Sequence, residues 1–238
     1  MSKRSLDWLY KYPIAHRGLH DSASGVFENT LSAVSAALEA NYSIEVDLQM
    51  SADGVPVVFH DYTLQRMTGQ SGNMGQYTAA ELGKIRIGAT QDIIPTLEEM
   101  LNLVDGRSGL VLELKGQDPD REAKFASAVC KQLANYKGPV CVMSFKNWLV
   151  DGLYTHGDDI PVGLTAEGDD SRYGLHKEID DRLALDFLSY GINDLPCKFA
   201  SEFRASSRPV ITWTVKSAEQ AKYSAQYADQ ITFEGFHP

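Results

Sequence analysis

Short runs rich in Val, Ile, Leu and Phe recur along the whole chain, each separated from the next by a helix-like stretch. This alternation constrains the fold more than any other feature. The runs that read as strands are 13–16, 43–50, 109–115, 139–145, 161–165, 185–191, 209–215 and 229–233. Their near-continuous apolar character is that of strands buried on both faces of a parallel sheet. Eight such strands alternating with helices in 238 residues match the usual size of a (β/α)8 TIM barrel, in α/β class. A doubly wound open sheet alternates in the same way and is the structural rival. No internal repeat, low-complexity segment or Pro/Gly/Ser-rich linker divides the chain, so residues 1–238 are expected to form a single domain.

Several helix starts carry capping chemistry. Asn29 or Thr30 can cap a helix with Leu31, Val34 and Leu38 on one face. Thr96 and Glu99 form a capping box ahead of Leu97, Met100, Leu101 and Val104, and Ser217 with Gln220 makes a similar start for the last helix. Asp118-Pro119 is expected to open a helix carrying Phe125, Val129 and Leu133. The patterns over 171–183 and 196–206 are fainter helices.

One stretch breaks the alternation. Residues 56–60 (PVVFH) read as a ninth strand, yet only Ser51-Ala52-Asp53-Gly54 separates them from the strand before. A parallel crossover needs a dozen or more residues, so this is an antiparallel hairpin. A two-residue Asp53-Gly54 turn would pair residues whose numbers sum to 107, setting His60 opposite Asp47. Residues 61–92 follow, with Gly69, Gly72, Gly75, Gly83, Gly88 and one capped turn of helix at Thr78–Glu81. A segment of that length that is mostly loop is usually functional, and it is expected to cover the C-terminal mouth of the barrel.

Catalytic side chains of such barrels lie at the C-terminal ends of the strands. Four tips here carry polar residues that a buried strand would otherwise avoid: His16-Arg17-Gly18, Glu45-Val46-Asp47, Glu113-Leu114-Lys115 and His60-Asp61. The i, i+2 spacing points Glu45 with Asp47, and Glu113 with Lys115, to one face. Three carboxylates on strands about 5 Å apart repel one another. Raised pKa values, cationic partners or a metal can relieve this, and a hard divalent ion, Mg2+ or Ca2+, suits Glu45, Asp47 and Glu113. The alternative is a metal-free network in which Arg17 or Lys115 pairs with these acids. His16 and His60 would flank the centre as a general base and a general acid. His20, His156, His176 and His237 lack such company and read as ordinary loop or surface residues. Arg17 and Lys115 suit an anionic substrate such as a phosphate. A Schiff-base role for Lys115 is disfavoured by the carboxylates, which keep an ammonium protonated. Trp213 and Phe145 sit at strand tips where packing and substrate contact are equally open readings.

Charge narrows the partners. With 22 basic and 32 acidic residues the net charge is −10, and no Lys/Arg cluster exceeds Lys3-Arg4, which excludes a nucleic-acid face. No apolar run is long enough to span a membrane, and no basic amphipathic helix marks a membrane-surface binder, so no stable membrane insertion is expected. No secretory signal pattern follows the first residues, and Cys130, Cys141 and Cys197 lack metal or disulfide spacing. A cytoplasmic protein with reduced thiols and a small-molecule substrate is expected.

Taken in order, these residues resemble the glycerophosphodiester phosphodiesterase family. The matching pieces are HRG at 16–18, ENT at 28–30, EVDLQMSADGVPVVFHD at 45–61, Arg66-x-Thr68, PTLEEML at 95–101, LELK at 112–115 and WTV at 213–215. The resemblance implies a divalent-cation-dependent barrel hydrolase that cleaves glycerophosphodiesters to sn-glycerol 3-phosphate and an alcohol. By it, Glu45, Asp47 and Glu113 match metal ligands, and His16 and His60 match the acid/base pair. Arg17 and Lys115 match phosphate contacts, and 61–92 corresponds to the family's insertion; Trp213, in the WTV piece, stays a candidate substrate-binding residue. Two departures stand out. Lys216 follows the tryptophan motif where Asn is common, and the last strand ends Thr232-Phe233-Glu234 where Thr-Asp is usual. Both are read as lying away from the metal and acid/base residues. The rival functions are a phospholipase acting on larger lipids and a catalytically silent phosphate-binding protein.

Overall fold

The computed structural model describes residues 3–238. In chain order its elements are β1 (Ile14–Ala15), α1 (Leu31–Glu39), β2 (Ser43–Met50), β3 (Pro56–Val58), α2 (Gln65–Thr68), α3 (Ala79–Leu82), α4 (Leu97–Val104), β4 (Leu110–Leu114), α5 (Phe125–Leu133), β5 (Val140–Ser144), α6 (Asn147–His156), β6 (Val162–Ala166), α7 (Tyr173–Leu183), β7 (Phe187–Gly191), α8 (Lys198–Ala205), β8 (Val210–Val215), α9 (Ala218–Ser224) and β9 (Gln230–Phe233). Eight strands run parallel in the order β1-β9-β8-β7-β6-β5-β4-β2, and pairing of β1 with β2 closes the ring. Closure rules out the open doubly wound sheet and makes the fold a TIM barrel.

Strand parity divides the side chains into two layers. Leu112, Val142, Leu164, Leu188 and Val210 face outward onto the helices. Val111, Cys141, Met143, Phe187 and Ile211 point inward and fill the barrel with Leu9, which a short 3-10 turn (Asp7–Tyr10) inserts. Catalysis-type side chains therefore stand on an apolar floor. The three cysteines are free and buried. No helix among the described residues is long and apolar enough to cross a membrane.

Most helix starts follow the sequence. Thr30, Thr78, Thr96 and Ser217 each accept a backbone N–H three residues on, and Thr78–Glu81 and Thr96–Glu99 are complete capping boxes. The helix expected to open at Asp118-Pro119 instead begins at Phe125. Asp118 Oδ1 accepts from Asp120 and Arg121, and Glu122 Oε2 folds back onto the Gln117 N–H, so side chains stabilise a turn in place of the first helical turn.

The hairpin corrects a register. β2 and β3 pair Leu48 with Val58 and Gln49 with Val57, one residue off the expected pairing, and the Phe59 N–H bonds the Asp47 carbonyl at 2.9 Å. The cause is the turn: Ser51 N–H bonds Val55 O, leaving a three-residue loop, Ala52-Asp53-Gly54, with Gly54 at φ +80°. His60 is therefore not the cross-strand partner of Asp47. Instead Gln49 Nε2 donates to the carbonyls of Phe59, His60 and Asp61 at 3.1, 3.0 and 2.6 Å, fixing the chain around His60. The segment after it is more ordered than a loop. Phe59, Leu64, Met67, Met74, Leu82, Ile85 and Ile87 build a small apolar cluster of their own.

At the other tip, Gly18 has φ +79°, and a Cβ there would meet the Ala33 carbonyl carbon at 2.8 Å. The turn that follows His16 and Arg17 thus lies directly on α1. Gly18→Ala should cost more than about 1 kcal/mol of stability, because both the backbone conformation and the space are unavailable to alanine. Urea unfolding measures this, and an unchanged midpoint would contradict the packing described.

Candidate active site

Parity on β2 and β4 brings Glu45, Asp47 and Glu113 into the barrel, all buried, with one oxygen of each within 4.8 Å of the others. Asp47 and Glu113 are direct register partners. Three acids cannot be buried without compensation, and the chain supplies two cations. Lys115 Nζ lies 3.2 Å from Asp47 Oδ1 and in close contact with Glu113 Oε1, while Arg17 Nε lies 3.3 Å from Asp47 Oδ2. Asn29 locks Asp47 from the side: its Nδ2 donates to Oδ2 at 2.8 Å, and its Oδ1 accepts the Asp47 N–H at 3.1 Å.

The charges are unevenly shared. Burial pushes Asp47 up, but Lys115 and Arg17 outweigh it and hold the carboxyl well below its usual range. Burial raises Glu113 to about 7 despite Lys115, with Asp47 adding repulsion. Burial and the neighbouring acids also push Glu45 well above its ordinary value. Glu45 Oε2 accepts the Arg17 N–H at 2.9 Å, but Oε1 is buried without a partner. An orphaned oxygen facing two more carboxylates, in an all-oxygen set, fits a hard divalent ion. Glu45, Asp47 and Glu113 are the residues that could hold it.

His16 lies on one side of this trio. Its Nε2 is 3.9 Å from Glu45 Oε2, and its Nδ1 is 2.5 Å from Glu234 Oε2. Burial lowers the His16 pKa below the ordinary imidazole value, against the pull of Glu234. His60 belongs to a second chain of contacts. Its Nδ1 is 2.7 Å from Asp61 Oδ1; Arg66 binds Asp61 and also Glu28, with bonds of 2.5–2.9 Å; and Glu28 accepts from Arg17 Nη1 at 2.7 Å. Both arginines hold the Glu28 carboxyl below its usual range even though burial opposes them. Arg17 is thereby tied to Glu28 and Asp47 together. Trp213 meets Phe145 edge-on at 5.3 Å, and Phe145 faces Lys115 Nζ at 5.6 Å, so both aromatics wall the mouth beside the lysine.

Glu234 and Lys216 correct the sequence reading. They do not lie away from the site: Glu234 is the carboxylate on His16, and Lys216 Nζ contacts its other oxygen at 2.7 Å. The two departures from the family pattern are thus one ion pair. His20 is no bystander either, with Nε2 buried and 3.8 Å from Glu234 Oε2. The missed signal was again i, i+2, since Thr232 and Glu234 share the inward face at the end of β9. Glu28, Asn29, Asp61 and Arg66 hold Arg17, Asp47 and His60; the sequence offers Asn29 as a possible helix cap, but Thr30 takes that place and Asn29 binds Asp47 instead. His176 packs against Tyr190 and Phe199, as a structural histidine does.

Glu234 supplies a pH test. The hydrogen bond from His16, with His20 and Lys216 close by, holds its folded pKa far below the unfolded value of about 4.5. Its contacts therefore stabilise the fold fully above that pH and progressively less below it. Glu234→Gln should cost more stability at pH 7 than at pH 3, read from urea midpoints. An equal cost at both would contradict an ionised Glu234 in these contacts.

Comparison with known proteins agrees with this geometry. The profile of the Glycerophosphoryl diester phosphodiesterase family matches residues 16–231. A glycerophosphodiester phosphodiesterase of Caldanaerobacter subterraneus subsp. tengcongensis is 31% identical over 63% of this chain and 65% of its own length. One from Bacillus subtilis is 32% identical over 56% of this chain and 51% of its own. Neither match spans two thirds of the relative. Among solved structures, an Oleispira antarctica phosphodiesterase in complex with the product sn-glycerol-3-phosphate superposes with a TM-score of 0.81 at 25% identity, over 93% of this chain and 91% of that one. With this profile covering nearly all of the barrel, the chain belongs to the glycerophosphoryl diester phosphodiesterase family.

Proposed function

We propose that this protein hydrolyses glycerophosphodiesters to sn-glycerol 3-phosphate and an alcohol, with a divalent cation, Mg2+ or Ca2+, held by Glu45, Asp47 and Glu113. The observation that carries the reading is the buried acidic trio with a carboxylate-clamped imidazole, His16, at its edge. Family membership and the product complex of the Oleispira antarctica relative support the substrate class. A bound cation would polarise a phosphate oxygen and offset the charge that grows there in the transition state.

The remaining roles follow from the contacts. Arg17, held on Glu28 and Asp47, presents its guanidinium to the phosphate in a fixed pose, and Lys115 adds positive charge beside Asp47 and Glu113. The formal balance supports this: with all three acids ionised on a divalent ion, three carboxylates against that ion and two cations leave the centre positive, in favour of a phosphodiester anion. Glu234 accepts from His16 Nδ1–H, which leaves Nε2 bare and turned toward the trio. Burial favours the neutral ring, which suits His16 as the general base that takes a proton from the attacking oxygen. His60, whose Nδ1 engages Asp61, is the general acid: as the imidazolium it gives its Nε2 proton to the departing alkoxide and is left neutral. Trp213 and Phe145 bound the space where the substrate lies.

A coupled assay for sn-glycerol 3-phosphate release from glycerophosphodiesters in the presence of Mg2+ or Ca2+ tests the proposal. The wild type should turn over, and His16→Ala and His60→Ala should each lower kcat by about 10²–10⁴-fold while keeping the wild-type circular dichroism spectrum. Near wild-type turnover in either variant would remove that histidine from its role. Binding of the diester with no product at all would make the protein a phosphate binder.

A further inference from the structure

Three buried polar atoms on consecutive strands have no hydrogen-bond partner among the described residues: the hydroxyl of Thr165 on β6, that of Ser189 on β7 and the indole Nε1 of Trp213 on β8. Thr165 and Ser189 are 2% and 0% exposed and are direct register partners. Both point into the barrel, because the alternating residues Leu164, Ala166, Leu188 and Tyr190 belong to the core beneath the helices. Thr165 comes two residues past the Met143–Gly163 pair, at the level of Phe145. Phe145 in turn adjoins both Trp213 and Lys115. The unpartnered groups therefore run around the mouth from the lysine, on the side away from the carboxylates. Phe145 and Thr165 also line a cleft of about 520 Å³, whose rim carries Asn147, Glu167, Arg172 and Asp194.

A hydroxyl buried without a partner destabilises a fold, and valine or alanine would pack in its place. Three such groups on neighbouring strands, the first of them, Thr165, on the wall of an open cleft, suit a ligand that brings its own donors and acceptors. Each hydroxyl of a polyol does both, and a rim of amide, carboxylate and guanidinium groups matches it. Resting on the phosphodiesterase reading above, we propose that the alcohol half of the substrate is a polyhydroxy alcohol, of the glycerol or cyclitol kind, seated on Thr165, Ser189 and Trp213. A quaternary ammonium headgroup fits worse. It needs free aromatic faces, whereas Phe145 already faces the Lys115 ammonium, Arg172 stands on the rim, and Asp194 is engaged by the Gly168 N–H at 2.9 Å.

The test compares kcat/KM for three diesters with the same glycerophosphate half: glycerophosphoglycerol, glycerophosphoethanol and glycerophosphocholine. The wild type should prefer the glycerol diester to each of the others. In Thr165→Val the glycerol-to-ethanol ratio should fall roughly ten-fold, the size expected for one lost hydrogen bond, and Thr165→Ser should restore it. Two results overturn the proposal: an unchanged ratio in Thr165→Val, whether both rates fall together or neither does, and a wild-type preference for the choline diester. If the wild type hydrolyses none of the three, the phosphodiesterase reading itself fails, and this proposal fails with it.

Discussion

Burial of Glu45, Asp47 and Glu113 against one another is the constraint on which the rest of the structure depends. Their mutual repulsion is met by Lys115 and Arg17, and only Asp47, which both cations reach, is held firmly ionised. Glu45 and Glu113 keep raised pKa values, so the trio is an unfinished charge arrangement. A protein interior tolerates this where a ligand completes it, and perturbed acids of this kind gather at functional sites. The apolar plug of Met143, Phe187 and Ile211 below the trio deepens the effect by excluding water from beneath it.

Around the trio, most of the candidate side chains are oriented by a carboxylate or an amide rather than by packing alone. Glu234 holds His16, Asp61 holds His60, Glu28 holds Arg17 and Arg66, and Asn29 holds Asp47. These come from the loops after β1 and β3, from β2, and from the end of β9, which lie side by side once the ring closes. Pre-orientation of this kind is what acid/base chemistry requires, since a misdirected imidazole contributes little. Glu234 is itself held: His16 takes one of its oxygens and Lys216 the other.

Much of this was legible in the sequence because parity and periodicity are local. The i, i+2 spacing of Glu45 with Asp47 and of Glu113 with Lys115 fixes a shared face without knowledge of the fold, and eight apolar runs with capped helices between them match a barrel's size, while closure is decided only by the pairing of β1 with β2. The failures have equally local causes. A three-residue turn with Gly54 at positive φ shifted the hairpin by one residue, and Asp118 and Glu122 stabilised a turn where a helix start was expected. Glu234 was missed for a different reason. Its importance depends on β9 lying beside β1, a contact between residues 218 positions apart, as the His16–Glu234 pair records. The holding roles of Glu28 and Arg66 likewise arise only once the segment after His60 folds back over the loop after Arg17.

The central claim is that the acidic trio is a divalent-cation site. Diffraction from a crystal soaked in Mn2+, with the anomalous signal located, tests it most directly. A single strong peak within coordination distance of Glu45, Asp47 and Glu113 is the predicted result. No peak there, with the Lys115 ammonium still lodged between Asp47 and Glu113, would mean that the two cations alone satisfy the trio, and the account would be wrong.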